Sequence, residues 1–492
     1  MAESGDYGQS NRLWNEDLAP TDERARTWRW YHFAALWIGM VISVPVYMLA
    51  SGLIEQGMTP WQAIGTIFAG NLVILVPMVL IGHAGARYGI PYAVLARASF
   101  GTKGARLPAF ARAIVACGWY GIQTWIGGSA LLTLLGVMAG QSLDGPAVPG
   151  LGIGIGQLLS FLAFWGIQFL FINKNLDNIR KLETWTAPLK IVVCALMVWW
   201  ALDVTGGLGP VFETTPKATD APSFAAIFWP SFTAMAGFWS TLCLNIPDFT
   251  RFARTPRDQV VGQALGLPGP MALLGLVAVI TTTATVVVYG EAIWDPVRLS
   301  GNIGGIVVLL GLLIISLDTV SCNLAANLVG PAYDFSALWP SRISYRIGGY
   351  ITAAIAIVSM PWELLAGTNG YIFVWLIGYG ALLGPIVGIM IADYWIVRRA
   401  RLNVVDLYRE EGDYSYRNGW NPAAFGAFAI GVLPNIPGFL HAAFPGAFGD
   451  VGAFWTGIYD YAWFVGAGLS IAAYTLLARV GARRLAPAAA HS

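Results

Sequence analysis

Two clusters of side chains carry the chemistry that stands out in this chain. Trp119 and Gln123 are four residues apart in GWYGIQTW, so on a helix they share one face. An indole offers a flat wall, and an amide donates and accepts along the edge of whatever lies on that wall. The pair suits a planar heterocycle. In the second cluster, DTVSCNLAAN, Asp318, Ser321, Cys322 and Asn323 fall within two turns and Asn327 follows a turn later. Asn327 is a second amide able to read a ligand edge. Ser321 supplies the hard oxygen a small cation takes, whereas the sulfur of Cys322 suits soft metals.

Asp318 lies in an apolar run. A carboxylate at mid-membrane costs about 2.5–3.5 kcal/mol on insertion scales, so it is expected to face an ion, a proton path or a cationic partner. Lys190, inside another apolar run, is the candidate partner. In LWIGMVISVPVY, the interval from Gly39 to Pro45 can leave the carbonyls of Gly39 and Ile42 free for an ion, and Ser43 free to bond a ligand. A second interruption lies in AMAGFWSTLCLNIPDFTRFAR, where Gly237 weakens the helix beside the large ring of Trp239. Asp248, beyond Pro247, is expected to pair with an inner-loop arginine and to bind no substrate. Taken singly, each feature also reads as ordinary packing: a proline kink, a buried tryptophan, a glutamine bonded across helices.

The elements that must position these residues are membrane spans. Of 492 residues, 56% are hydrophobic and 11% charged, against roughly 25% charged in soluble domains. This is the composition of an integral membrane protein. A net charge of +1 gives no reason to expect a nucleic-acid partner. Cys117, Cys194, Cys243 and Cys322 all lie in apolar runs without metal-ligand spacing, and the four histidines are scattered. No HExxH, GxSxG or Walker-type loop occurs, so neither an enzyme nor an ATP-driven pump is expected, and no cofactor. Nothing resembles a cleaved signal peptide.

Runs long enough to cross a core of about 30 Å, at about 20 residues each, fall near 29–54, 60–85, 108–138, 151–172, 184–204, 224–246, 262–290, 303–331, 345–366, 371–396, 421–441 and 457–479. Both tails and the loops after even-numbered spans hold 25 of the 28 Lys and Arg residues. Under the positive-inside rule this alternation predicts twelve spans with both ends cytoplasmic. Spans 1 and 6 are both interrupted, and spans 3 and 8 both carry polar residues at mid-depth. A five-span offset inverts the second unit, as in many secondary transporters. Re-entrant segments are expected at Ser99–Leu107 and Trp294–Gly304. The domains are then a tail (1–28), a first unit (29–204), an inverted second unit (224–396), two further spans (421–479) and a cytoplasmic tail (480–492).

From the tail motif NEDLAPTDERARTW to LLGPIVGIMIADYWIVRR and LNVVDLYREEGDYSY, over roughly 400 residues, the chain resembles the nucleobase–cation symporter-1 family, permeases for cytosine, uracil, purines, allantoin and hydantoins. The resemblance implies an all-α, LeuT-like fold of two inverted five-helix units plus two C-terminal helices. It implies that Trp119 stacks on the substrate ring, Gln123 bonds its edge, Trp239 covers the other face and Asn327 contacts substrate. Gly39, Ile42 and Ser321 match sodium-site positions of the hydantoin-carrying branch. Three residues depart from the pattern. Ser43 replaces a longer amide, Cys322 replaces a threonine hydroxyl, and Asp318 stands where the site uses the carbonyl of a small apolar residue.

The expected function is symport of a nucleobase, or of a related cyclic amide or ureide, into the cell across the cytoplasmic membrane. The coupling ion is H+ or Na+, with protons favoured through Asp318, and no oligomer is required. An amino-acid or amine symporter on the same fold is one alternative. A membrane sensor that binds ligand without moving it is another.

Overall fold

The computed structural model describes residues 12–170, 176–213, 223–303, 305–367 and 370–485. Lys174, Lys217 and the far ends of both tails lie outside the described residues. Where described, the chain is helical, and strand-like pairing is confined to isolated bridges such as Trp28 with Ala253.

The chain's described helices begin with α1 (Trp30–Val41) and α2 (Val44–Glu55), bent by 59° where they meet. They continue through α3 (Pro60–Tyr88), the short α4 (Tyr92–Phe100), α5 (Arg106–Ala139), α6 (Ile155–Phe169), α7 (Leu176–Thr205) and the short α8 (Leu208–Glu213). Next come α9 (Phe224–Phe238), α10 (Ser240–Asn245) and α11 (Pro247–Thr250). The chain runs on through α12 (Pro256–Gly266), α13 (Pro268–Tyr289), α14 (Pro296–Ile303) and α15 (Gly305–Asn323). A π-helical turn, Leu324–Leu328, joins α15 to α16 (Val329–Leu338). Then come α17 (Tyr345–Val358), α18 (Pro361–Leu364) and α19 (Ile377–Ile391), the last preceded by a π-helical stretch, Gly370–Leu376. The C-terminal part holds α20 (Pro422–Val432), α21 (Ile436–Ala443), α22 (Ala453–Asp460) and α23 (Ala462–Leu485).

Among the described residues nine helices are long and apolar enough to cross a membrane, and ten if the bent α1–α2 pair is one span. The sequence led us to expect twelve. Spans 4 and 9 contain α6 and α17, of 15 and 14 residues, below the roughly 20 needed for a straight crossing. Helix α17 stops early because Met360 takes a left-handed φ of 44° just before Pro361, and a proline ring disfavours helical backbone in the residue ahead of it.

The breaks in spans 1 and 6 are real, but not at the glycines. Gly39 lies inside α1 and Gly237 inside α9. Span 1 breaks at Ile42–Ser43, where Ser43 is extended (φ −149°, ψ 156°). Pro45 follows in the first turn of α2, where a missing N–H costs nothing. Span 6 breaks at Trp239 itself (φ −94°, ψ 1°). Gly237 serves close approach instead: a Cβ there would lie 2.4 Å from the carbonyl oxygen of Leu376, so α9 and the Gly370–Leu376 stretch can touch backbone to backbone. The segments expected to be re-entrant each overlap a short helix. Ser99–Leu107 takes in the end of α4, which Gly101 stops at φ +91°, a backbone state that side chains resist. Trp294–Gly304 takes in α14, and residue 304 is not among those described.

Two packed groups result. Helices α1, α2, α3, α9, α12 and α13 contact one another, as do α5, α6, α15, α16 and α17. Helix α7 touches both groups, at α13 and at α15. The broken spans and the polar cluster therefore meet at the seam between the groups.

Candidate functional site

At that seam one cavity of about 20 Å³ is lined by Met40, Ser43, Trp119, Gln123, Phe238, Trp239, Thr241, Leu242, Cys322, Ala326 and Asn327. All five residues expected to contact substrate are among them. The two indoles are not bare facing plates. Among the described ring contacts they meet only through Phe238, which stands edge-on to Trp119 at 5.1 Å and 69° and to Trp239 at 4.8 Å and 80°. The space holds about one water, so a ring enters only if Phe238 or a neighbouring wall moves.

Both indole N–H groups are used elsewhere. Trp119 Nε1 donates to the Tyr379 hydroxyl at 3.2 Å, and Trp239 Nε1 donates to Asn71 Oδ1 at 2.7 Å. The rings are thereby held by their edges and present faces. The amides are held too. Gln123 Nε2 donates to Cys322 Sγ at 3.8 Å, and Asn327 Nδ2 donates to Asn323 Oδ1 at 2.9 Å. Asn327 lies in the π-helical turn, a distortion frequent at functional sites.

The expected cation residues divide. Lys190, 3% exposed, donates from Nζ to the carbonyl of Gly39 at 2.8 Å and forms a buried ion pair with Asp318. The partner named from sequence is thus the partner found. Ser321 Oγ donates to the backbone carbonyl of Asp318 at 3.0 Å. Ile42, Ser43, Lys190 and Asp318 line a second cavity of about 60 Å³, together with Tyr47, Cys194 and apolar side chains of α7, α13 and α15. Cys322 stands apart from that group: its thiol donates to the carbonyl of Met40 at 3.8 Å and it lines the first cavity. Ser43 lines both cavities.

Side-chain contacts flank the site on either side. Toward α14, the Tyr371 hydroxyl donates to the carbonyl of Pro45 at 3.1 Å, and Trp294 stacks on its ring at 6.3 Å. Toward the N-terminal segment, Arg112 pairs with Asp334 at 3.1 Å, both buried, and Arg251 donates to the Tyr333 hydroxyl at 3.1 Å. Asp248 accepts from the backbone N–H of Tyr92 at 2.8 Å and also feels the charge of Arg251, an arginine of the expected inner loop. That segment adds its own ties, with Asn15 bonded to Ser336 and Pro340 and Asp17 accepting from the Tyr345 N–H.

Sequence reasoning did not single out Phe238, Thr241, Asn71, Gln168 or Tyr379. Asn71 and Gln168 were within reach, being amides inside apolar runs. Phe238 carries no such signal beside Trp239.

The chain is 43% identical to "Purine-uracil permease NCS1" of Arabidopsis thaliana, over 87% of this chain and 72% of that one. It is 40% identical to "Allantoin permease" of Bacillus subtilis (strain 168), over 96% of this chain and 94% of that one. A solved structure of Mhp1, described as a nucleobase-cation-symport-1 family transporter in a closed conformation with bromovinylhydantoin bound, superposes with a TM-score of 0.76 at 26% identity, covering 96% of each chain. The fold is accordingly the all-α, LeuT-like one that the sequence led us to expect. Residues 20–466 match the family model described as "Permease for cytosine/purines, uracil, thiamine, allantoin". With both its helical architecture and most of its length accounted for in this way, the chain belongs to that family of multi-pass membrane permeases.

Proposed function

We propose that this permease imports a planar cyclic amide or ureide of the uracil, purine, allantoin or hydantoin type, and that protons rather than sodium drive it. The ring lies against Trp119, Trp239 covers its other face, and Gln123, Asn327 and Ser43 read its edge. The observation that carries the substrate reading is the convergence of these five residues on one cavity. It agrees with the printed substrates of the purine-uracil and allantoin permeases named above. An amino-acid carrier needs groups for a carboxylate and an ammonium, and among the described residues this cavity is lined by none with a charge.

The proton reading is supported by Lys190. Its ammonium lies against Gly39 O and Asp318, two positions that correspond to the sodium site of the hydantoin-carrying branch. A cation already bonded to that carbonyl excludes a second one by repulsion. Proton transfer at the pair changes the local charge without any metal. Gly39, Ile42 and Ser321 then frame the lysine–aspartate pair, and Cys322 belongs with the substrate amides. The loop charges orient both tails toward the cytoplasm.

Uptake of labelled uracil, hypoxanthine, allantoin and hydantoin, with and without sodium at two external pH values, tests both halves. Uptake raised at the lower pH and indifferent to sodium is the expected result. A sodium requirement without pH dependence overturns the proton reading. Binding without accumulation in proteoliposomes would make the protein a sensor instead.

A further inference from the structure

The cavity's two amides are each held by a chain of hydrogen bonds that begins at a backbone carbonyl. A carbonyl only accepts, so the direction of every later bond follows from it. In the first chain the carbonyl is that of Tyr120. Thr124 Oγ1 donates to it at 2.6 Å, so this hydroxyl can only accept from Gln168, whose Nε2 lies at 2.9 Å. Gln168 therefore turns Oε1 toward Asn323 Nδ2, at 2.7 Å. Asn323 Nδ2 also donates to Tyr120 O at 3.0 Å, which sets its orientation a second time. Its Oδ1 is left to accept from Asn327 Nδ2 at 2.9 Å. Thr124, Gln168 and Asn323 are completely buried, so water does not substitute for any link.

In the second chain the carbonyl is that of Met40. The Cys322 thiol donates to it, and the sulfur accepts from Gln123 Nε2, both at 3.8 Å. Gln123 Oε1 is buried and, among the described residues, accepts no hydrogen bond. A buried carbonyl oxygen without a donor is costly, and Gln123 lines the cavity.

We infer that Thr124, Gln168, Asn323 and Cys322 are positioning residues that turn the carbonyl oxygens of Asn327 and Gln123 toward the ligand, so that the site selects rings bearing N–H donors at both places. This rests on the functional reading above and deepens it. A pocket with freely rotating amides would accept a ring edge of either polarity. Here an inverted amide would set Asn323 oxygen against Tyr120 oxygen, or nitrogen against nitrogen.

The test compares ring N–H compounds with N-methyl counterparts that cannot donate. Binding of uracil, hydantoin and allantoin, and of their mono-N-methyl forms, is followed on purified full-length protein by tryptophan fluorescence. In the wild type, N-methylation at a contacting position is expected to weaken binding about tenfold or more. Asn323→Leu keeps most of the side-chain volume but removes the acceptor of Asn327 Nδ2 together with both ties to Tyr120 O, and the ratio of N–H to N-methyl affinity is expected to fall toward one. Thr124→Val leaves Asn323 Nδ2 bonded to Tyr120 O, and it is expected to lower the ratio less. A purely structural role would weaken both compounds alike, so an unchanged ratio in Asn323→Leu overturns the inference and leaves the functional reading intact. Cys322→Ala gives the parallel measurement on the Gln123 side without touching the first chain. Failure of the wild type to bind any ring N–H compound overturns the functional reading and this inference together.

Discussion

Lys190 reaches from α7 to the carbonyl of Gly39 in α1, 2.8 Å away, while its charge is balanced by Asp318 on α15. One ammonium thus ties the first half of the broken span to the neighbouring group of helices. On the proton reading proposed above, loss or transfer of its proton would weaken both ties at once and so relate protonation to movement between the two groups. Removing Lys190 alone leaves a buried carboxylate without its cation, a change that costs about 3–5 kcal/mol. Lys190→Met is expected to lower thermal stability and abolish accumulation against a gradient. Lys190→Met with Asp318→Asn removes both charges, and it is expected to recover most of the stability while transport stays uncoupled. Thermal unfolding in detergent and uptake at two pH values check both. Retained pH-driven accumulation in the double variant would remove the pair from the mechanism.

The aromatic walls give a second expectation. Stacking of a base on an aromatic side chain is worth about 1–3 kcal/mol by alanine substitution, or roughly 5- to 150-fold in affinity. Trp119→Ala and Trp239→Ala should each weaken binding within that range, and the double variant should abolish uptake. Phe238→Ala differs in sign. Its ring stands edge-on between the two indoles in a cavity of about 20 Å³, so its removal makes room and should widen the range of ring sizes accepted. Competition by purines against pyrimidines reads this directly. Unchanged uptake in the Trp119 and Trp239 double variant refutes the stacking arrangement.

Much of this arrangement was legible in the sequence, for a physical reason. Tryptophan and glutamine at helical spacing, or a carboxylate inside an apolar run, are costly in lipid unless they have partners, so they announce themselves. Lys190 and Asp318 could be paired from that cost alone. Close backbone approach could not be read. Gly237 looks like a weak point in a helix, yet its place is set by the Leu376 carbonyl, on a segment 139 residues away. Phe238 was missed because a phenylalanine in a span signals burial only, and while Gln168 was within reach as an amide in an apolar run, its partners Thr124 and Asn323 on two other helices could not be read.

Ser43 borders both cavities and sits at the 59° bend. Its substitution should therefore alter two properties that other variants separate. Ser43→Ala removes a hydroxyl from the substrate cavity without changing charge, and a modest loss of affinity is expected, about 0.5–1.5 kcal/mol for one hydrogen bond. Ser43→Asn inserts a longer amide in the space beside Lys190, and it should change substrate preference and the pH dependence of uptake together. Km for two substrates, measured at two pH values, tests this. Independent shifts in the two properties would show that the cavities do not communicate through this residue.

The closure toward α14 is the last case. Tyr371 is fully buried, its hydroxyl donates to Pro45 O and its ring is stacked on Trp294. Pro45 belongs to the first turn of α2, just past the break, and its carbonyl is where one side-chain bond can pin the bent span to the segment that ends in α19. Tyr371→Phe deletes that bond and keeps the ring. The closed arrangement loses about 0.5–1.5 kcal/mol, a several-fold shift in favour of opening on that side. A cysteine placed at Ser43 should therefore react faster with a membrane-impermeant thiol reagent in the Tyr371→Phe background than in its absence, with the natural cysteines replaced in both. Trp294→Ala should act in the same direction by removing the stacked ring. Equal labelling rates with and without Tyr371→Phe would mean that this hydroxyl does not hold the α14 side of the site shut.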